Sequence, residues 1–260
     1  MSKYARLVYN SIAETLTYRT NLVVSFGVIA IPFIIAVIFW RGVFFANNSV
    51  ANYSLKDIIT YYFIVLFIQD FTYPALNYDI VMDIKSGRLN LLLIKPVNYF
   101  WYAFFLRLGS NIVYFSVVMF FLIIYALVFN QFLLLTPDKI PVFLLSFLLS
   151  YILGRLISFF FSIFVLFLEN YMGLESFVNF IVPIFSGILL PVNLLPGLLY
   201  KISSYLPLRL LVSYPVEMYL GKENLNIGII YSYFFWIVLF ALIDIFVWRE
   251  GLKKYRAVGG

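Results

Sequence analysis

Apolar residues run along this chain in long blocks separated by short polar interruptions, and block length decides what each one forms. Six blocks, at about 22–45, 58–77, 103–128, 142–168, 174–190 and 229–248, are long enough as helices, at about 1.5 Å per residue, to cross a hydrocarbon layer about 30 Å thick. They are much longer than the alternating segments of about ten residues that build an outer-membrane barrel. The expected fold is therefore an all-α integral membrane protein of six transmembrane helices, forming one domain over 1–260. Residues 1–20 follow a different pattern. Tyr4, Leu7, Val8, Ile12, Ala13 and Leu16 fall largely at i, i+3, i+4 spacing, with Lys3, Arg6, Glu14 and Arg19 between them. That pattern predicts an amphipathic interfacial helix at the inner membrane surface, with a plain solvated helix as the alternative. The apolar run after it is too long for the core of a cleaved signal peptide.

Two interruptions stand out. The first, 79–102, reads DIVMDIKSGRLNLLLIKPVNYFWY. Asp83, Lys85, Arg88 and Lys95 alternate with Leu89, Leu91, Leu92, Leu93 and Ile94, which predicts a short membrane-parallel amphipathic helix with Ser86-Gly87 near its start and Pro96 closing it. Read blandly, such a basic loop is only a topology signal. The second, 186–222, stays apolar but is broken by Pro191, Pro196, Pro207 and Pro215. Proline at that frequency gives short helical pieces, and apolar broken pieces at a membrane face are re-entrant or interfacial. The remaining connections are an outer loop with Asn47, Asn48, Asn52 and Ser54, an outer turn at 130–141 and a tight inner turn at Glu169-Asn170.

Composition removes the soluble alternatives. The chain of 260 residues is 64% hydrophobic and 12% charged, against about a quarter charged for a soluble domain. With no cysteine and no histidine, thiol chemistry, disulfides, imidazole bases and the usual zinc sites are excluded. No G-x-x-x-x-G-K-[ST] loop occurs, so ATP is not expected to bind this chain in that manner. The net charge of +6 is scattered over span ends rather than gathered into a nucleic-acid patch. With the N-terminus inside, Lys3, Arg6, Arg19, Lys85, Arg88, Lys95, Arg107, Arg249, Lys253, Lys254 and Arg256 face the cytoplasm. Arg41, Lys56, Lys139, Lys201, Arg209 and Lys222 lie outside, giving eleven against six with Arg155 assigned to neither. Both termini are thus expected to be cytoplasmic.

An acidic residue followed by I-K-S-G-R-L-N-L-L-L-I-K-P, at the inner end of the second span, resembles the cytoplasmic coupling helix of type-2 ABC transporter permeases. In that family a G-x-L-x-x-L-L-x-x-P pattern seats in a groove of the ATPase subunit. The matching positions here are Gly87, Leu89, Leu92, Leu93 and Pro96, with Asp83, Lys85, Arg88 and Lys95 around them. A proline-broken outer segment carrying Pro191, Pro196 and Pro207 before the last span is a second point of likeness. The resemblance implies an exporter permease in a prokaryotic inner or plasma membrane, paired with a copy of itself or a sister permease above two nucleotide-binding ATPase subunits. ATP and Mg would then sit on those partners, the cargo path would open at the dimer interface, and this chain would carry no cofactor and be no enzyme. The few charges of the docking motif depart from the family pattern and leave the partner ATPase open.

Asp70 and Arg155 are the charges deepest in the predicted spans, and each costs about 2.5–3.5 kcal/mol if left unpaired at a helix centre. They are expected to pair within the bundle or to face a polar path with Gln69, Tyr73 and Asn77, a structural ion pair or snorkelling being the alternative. Asp244 is expected to pair locally with Arg249. A secondary transporter or channel remains a rival, although no inverted repeat is visible. An intramembrane enzyme is disfavoured because the carboxylates are scattered.

Overall fold

The computed structural model describes residues 3–17, 19–46, 50, 52–128 and 137–255, and among them every regular element is helical. In chain order these are α1 (Lys3–Thr17), α2 (Arg19–Ala46), α3 (Leu55–Thr72), α4 (Tyr78–Lys85), α5 (Leu89–Leu93), α6 (Tyr99–Val128), α7 (Ile140–Phe164), α8 (Met172–Ser186), α9 (Gly197–Tyr205), α10 (Leu208–Leu211), α11 (Ser213–Tyr219) and α12 (Ile227–Lys254). Three stretches are long and apolar enough to cross a membrane by length and composition: Tyr99–Phe120, Ile140–Phe167 and Ile227–Lys254. Ala30–Phe45 and Met172–Ser186 are shorter apolar helices. The α3 helix carries Lys56, Asp57 and Asp70 along its eighteen residues. Asn47, Asn48, Arg256 and most of the turn at 130–141 lie outside the described residues.

Several boundaries differ from the expected ones, each for a local reason. The second block stops as a helix at Thr72, because Pro74 forces the preceding Tyr73 into extended backbone (φ −62, ψ 122), and the chain stays non-helical to Asn77. The third begins at Tyr99, so the aromatic end of the 79–102 stretch belongs to α6. The fifth ends at Ser186, where Gly187 adopts φ 92. Side-chain caps fix other ends. Ser54 and Asp57 form a reciprocal capping box at α3, and Asn226 accepts the Ile229 N–H at the start of α12.

The most enclosed helix is α7, which packs against α3, α4, α10, α11 and α12. One side of it is a stripe of small residues, Ser146, Ser150, Gly154, Ser158 and Ser162, all buried and four apart. Two irregular segments rest on this stripe. At one end Tyr233 of α12 donates to Leu210 O at 2.7 Å, with Ser150 Oγ 2.7 Å from the same carbonyl. At the other end the break after α3 lies against Gly154, Ser158 and Ser162. Elsewhere α1 lays Tyr4, Leu7, Val8, Ser11 and Ile12 toward the bundle. It docks along α6, where Ser11 donates to Leu106 O at 2.7 Å and Tyr4 stacks on Phe105. The amphipathic stripe read in 1–20 is thus at least partly covered by protein.

The proline-broken stretch folds as expected into short pieces, with Pro191, Pro196 and Pro207 at the starts of a 3-10 turn, α9 and α10. They are held together by a buried ion pair that the sequence reading missed. Arg209, 3% exposed, donates to Glu217 Oε2 at 2.9 Å and Asn193 Oδ1 at 3.0 Å, and its guanidinium lies 4.3 Å from the Tyr214 ring centroid. Ser213 donates to the other Glu217 oxygen at 2.6 Å.

Two substitutions test this framework by thermal unfolding of the purified chain. A Cβ at Gly154 would stand 2.2 Å from Thr72 O, so Gly154→Ala lowers stability by about 1–3 kcal/mol through overpacking. Glu217→Ala takes from buried Arg209 its nearest counter-charge, leaving only Glu223 Oε1 at 3.4 Å, and costs about 3 kcal/mol.

Candidate functional site

Helix α4 ends at Lys85, Ser86 closes it, and Gly87 turns the chain at φ 77. A Cβ at Gly87 would meet nothing within 4 Å, so glycine is required there for its left-handed backbone rather than for space. Ser86-Gly87 therefore separates two helices rather than opening one. The five residues of α5 follow, and Pro96 comes two residues after its cap at Ile94. Together α4, the glycine turn and α5 form an elbow at the end of the bundle where α6 begins.

Three of the charges expected on this elbow are tied to the chain itself. Asp83, 1% exposed, accepts from Arg88 Nε at 2.6 Å across the glycine turn and from the Tyr99 hydroxyl at 2.9 Å at the start of α6. The Asp83 carboxylate holds the Arg88 guanidinium above its ordinary pKa. Lys85 donates to Leu168 O at 2.6 Å and Glu169 O at 2.9 Å, closing the turn between α7 and α8. Lys95 is exposed, and Pro96 O accepts from Lys3 Nζ at 3.0 Å, joining α1 to the elbow. Tyr78, on α4, donates to Glu175 of α8, and that bond pushes its phenol up to about 12.

The leucines divide likewise. Leu89 and Leu92 are buried in a cluster with Ile80, Ile84, Tyr99 and Ile163, so these two motif positions secure the elbow from inside. Leu93 is 42% exposed, and beside it Leu91 and Ile94 are 63% and 80% exposed. Met82 is exposed as well, so an apolar strip edged by Arg88 and Lys95 faces outward.

The candidate path residues separate. Arg155 Nη2 donates to Tyr73 O at 2.7 Å, Ser158 donates to Ala75 O at 2.6 Å, and Asn77 N–H donates to Ser162 Oγ at 2.7 Å. Arg155 thus serves the broken backbone and makes no salt bridge to Asp70. Asn77 caps α4 by accepting the Asp79 N–H, which is a structural task. Asp70 and Tyr73 instead line a cavity of about 560 Å³ with Gln69, Arg107 and Tyr114. It adjoins an apolar groove of about 680 Å³ lined by Phe33, Phe39, Trp40, Tyr62 and Leu189, and the two share Leu66, Gln69, Pro183 and Ile188. One Asp70 oxygen is buried without a partner. Arg107, expected only as an inner charge, stands on α6 against the α3 helix of Asp70 and gives this cavity both signs of charge. Asp244 does not pair with Arg249: both of its carboxylate oxygens lack a hydrogen-bond partner.

Asp83→Ala releases Arg88 and leaves the Tyr99 hydroxyl without its acceptor, costing about 1–3 kcal/mol. The expected outcome is faster trypsin cleavage at Arg88 with the rest of the bundle still protected. Arg155→Leu strips Tyr73 O of its donor and lowers the melting temperature, at a cost of about 1–3 kcal/mol.

No curated protein matches the chain. A family described as ABC-2 family transporter protein matches residues 30–259, which takes in the elbow, Asp70, Arg107 and the proline-broken segment. With an all-helical body, long apolar helices and this match over most of its length, the chain belongs to the ABC-2 transporter family and is a membrane-embedded permease.

Proposed function

We propose that this chain is the membrane subunit of an ATP-driven exporter, working as a dimer of permeases above two separate nucleotide-binding ATPase subunits that carry ATP and Mg. The single observation that supports it best is the elbow: an exposed strip of Leu91, Leu93 and Ile94 on a support immobilised by buried Asp83, Leu89 and Leu92. A soluble partner that closes on ATP needs such a rigid handle, and apolar anchors within a polar rim are the usual energetic centre of a protein interface.

In this reading α2, α3, α6, α7, α8 and α12 are the six spans. Both termini and the elbow lie on the cytoplasmic side of a prokaryotic cell membrane, and the proline-broken stretch is the outer re-entrant segment. The groove bounded by α2, α3 and α8 faces the second permease. The Asp70–Arg107 cavity continues it inward, offering an amphipathic cargo an apolar wall and a polar end. Force passes from the elbow through Tyr99 into α6 and through Lys85 into the α7–α8 turn.

Ile94→Asp combined with Leu91→Asp leaves the core untouched, since both side chains point away from it. A tagged wild-type chain should co-purify a Walker-type ATPase subunit, and the double variant should lose that association about tenfold or more, as for an interface anchor worth about 1.4 kcal/mol or more. Undiminished association and ATP-driven transport in a folded variant would overturn the reading.

A further inference from the structure

A smaller cavity of about 260 Å³ lies beside the start of α6, away from the groove just described, between the N-terminal end of α6, α7 and the inner part of α12. Its lining includes Tyr99, Trp101, Phe159 and Trp248, together with Asn98 and Asp244. The aromatic wall is ordered: Tyr99 and Trp248 stack at 5.0 Å with a 7° interplanar angle, and Phe159 packs 6.0 Å from Trp248. Asp244 is 5% exposed, and neither carboxylate oxygen has a hydrogen-bond donor. A buried carboxylate without donors is costly and calls for a compensating group.

From this geometry we infer that the cavity binds an organic ammonium group bearing N–H donors. The two requirements converge on that chemistry. Aromatic faces attract a cation through their quadrupole, and the paired bare oxygens of Asp244 accept charge-assisted hydrogen bonds from its N–H groups. A quaternary ammonium satisfies the rings but not the oxygens, and a metal ion would find only one carboxylate. At about 260 Å³ the cavity is smaller than the roughly 300–1,000 Å³ of ordinary ligand pockets, so it takes a headgroup and leaves an attached chain outside. The ammonium can come from an aminophospholipid or from a free cationic amphiphile. Because Tyr99 both lines the cavity and donates to Asp83, the bound group sits one residue away from the elbow. The inference does not depend on the proposed ATPase coupling.

The test uses the full chain, with Trp40→Phe and Trp236→Phe so that Trp101 and Trp248 are the tryptophans left, in nanodiscs made only of phosphatidylglycerol, and reads their fluorescence. Dodecylammonium should change it saturably, dodecyltrimethylammonium more weakly, and dodecanol not at all. Asp244→Asn should weaken dodecylammonium binding about tenfold or more, the equivalent of one lost charge-assisted contact. Ala241→Phe, which fills the cavity while keeping the carboxylate, should weaken it too, and so guards against misfolding of the first variant. Adding phosphatidylethanolamine to the discs distinguishes the sources: competition with dodecylammonium identifies a lipid headgroup, and unchanged affinity identifies a free amine. Equal binding by wild type and both folded variants, or equal binding of dodecanol, overturns the inference.

Discussion

Irregular backbone buried among apolar helices must find its hydrogen bonds in the protein, because no water is there to supply them. In this chain that requirement is met chiefly by one helix. The small-residue face of α7 receives the Tyr73–Asn77 break through Gly154, Arg155, Ser158 and Ser162, and takes the Leu210 carbonyl beside Ser150. Small side chains let backbones approach closely, and serine hydroxyls supply the missing partners. That face sets where the Tyr73–Asn77 break and the Leu210 carbonyl lie.

The break has a mechanical consequence. By ending α3 at Thr72 it separates α4 from α3, and α4 then sets Asp83 beside Tyr99 at the start of α6. The elbow is tied by Asp83 to Tyr99, by Lys85 to the α7–α8 turn, by Tyr78 to Glu175 of α8, by Ile84 O to the Tyr255 hydroxyl and by Pro96 to Lys3 of α1. A segment expected as one amphipathic helix is therefore two short helices anchored to the rest of the fold, with Leu91, Leu93 and Ile94 exposed between Arg88 and Lys95.

Buried charge is used in distinct ways. Arg209 and Glu217 face each other and lock the short helices α9 to α11. Arg155 is spent on a carbonyl oxygen. Asp70 and Asp244 keep oxygens without partners, each beside a cavity. In a medium where an unpaired charge is expensive, these carboxylates are the costliest polar groups the chain leaves without hydrogen-bond donors of its own.

The helical class, the six apolar blocks, the amphipathic first helix, the prolines that fragment 186–222 and the glycine-leucine motif at 87–96 are all legible in the order of residues alone. These rest on length, period and backbone restriction, which act locally. The serine-glycine spacing on α7 was also present in the sequence, but its meaning depends on what lies opposite. It takes the folded arrangement to turn Leu89 and Leu92 inward and Leu91 and Ile94 outward, to give Arg155 a carbonyl rather than Asp70, and to set Asp244 against an aromatic wall rather than Arg249. Each of those outcomes is a choice among partners far apart in the chain, and such choices are made by packing geometry, which no local pattern encodes.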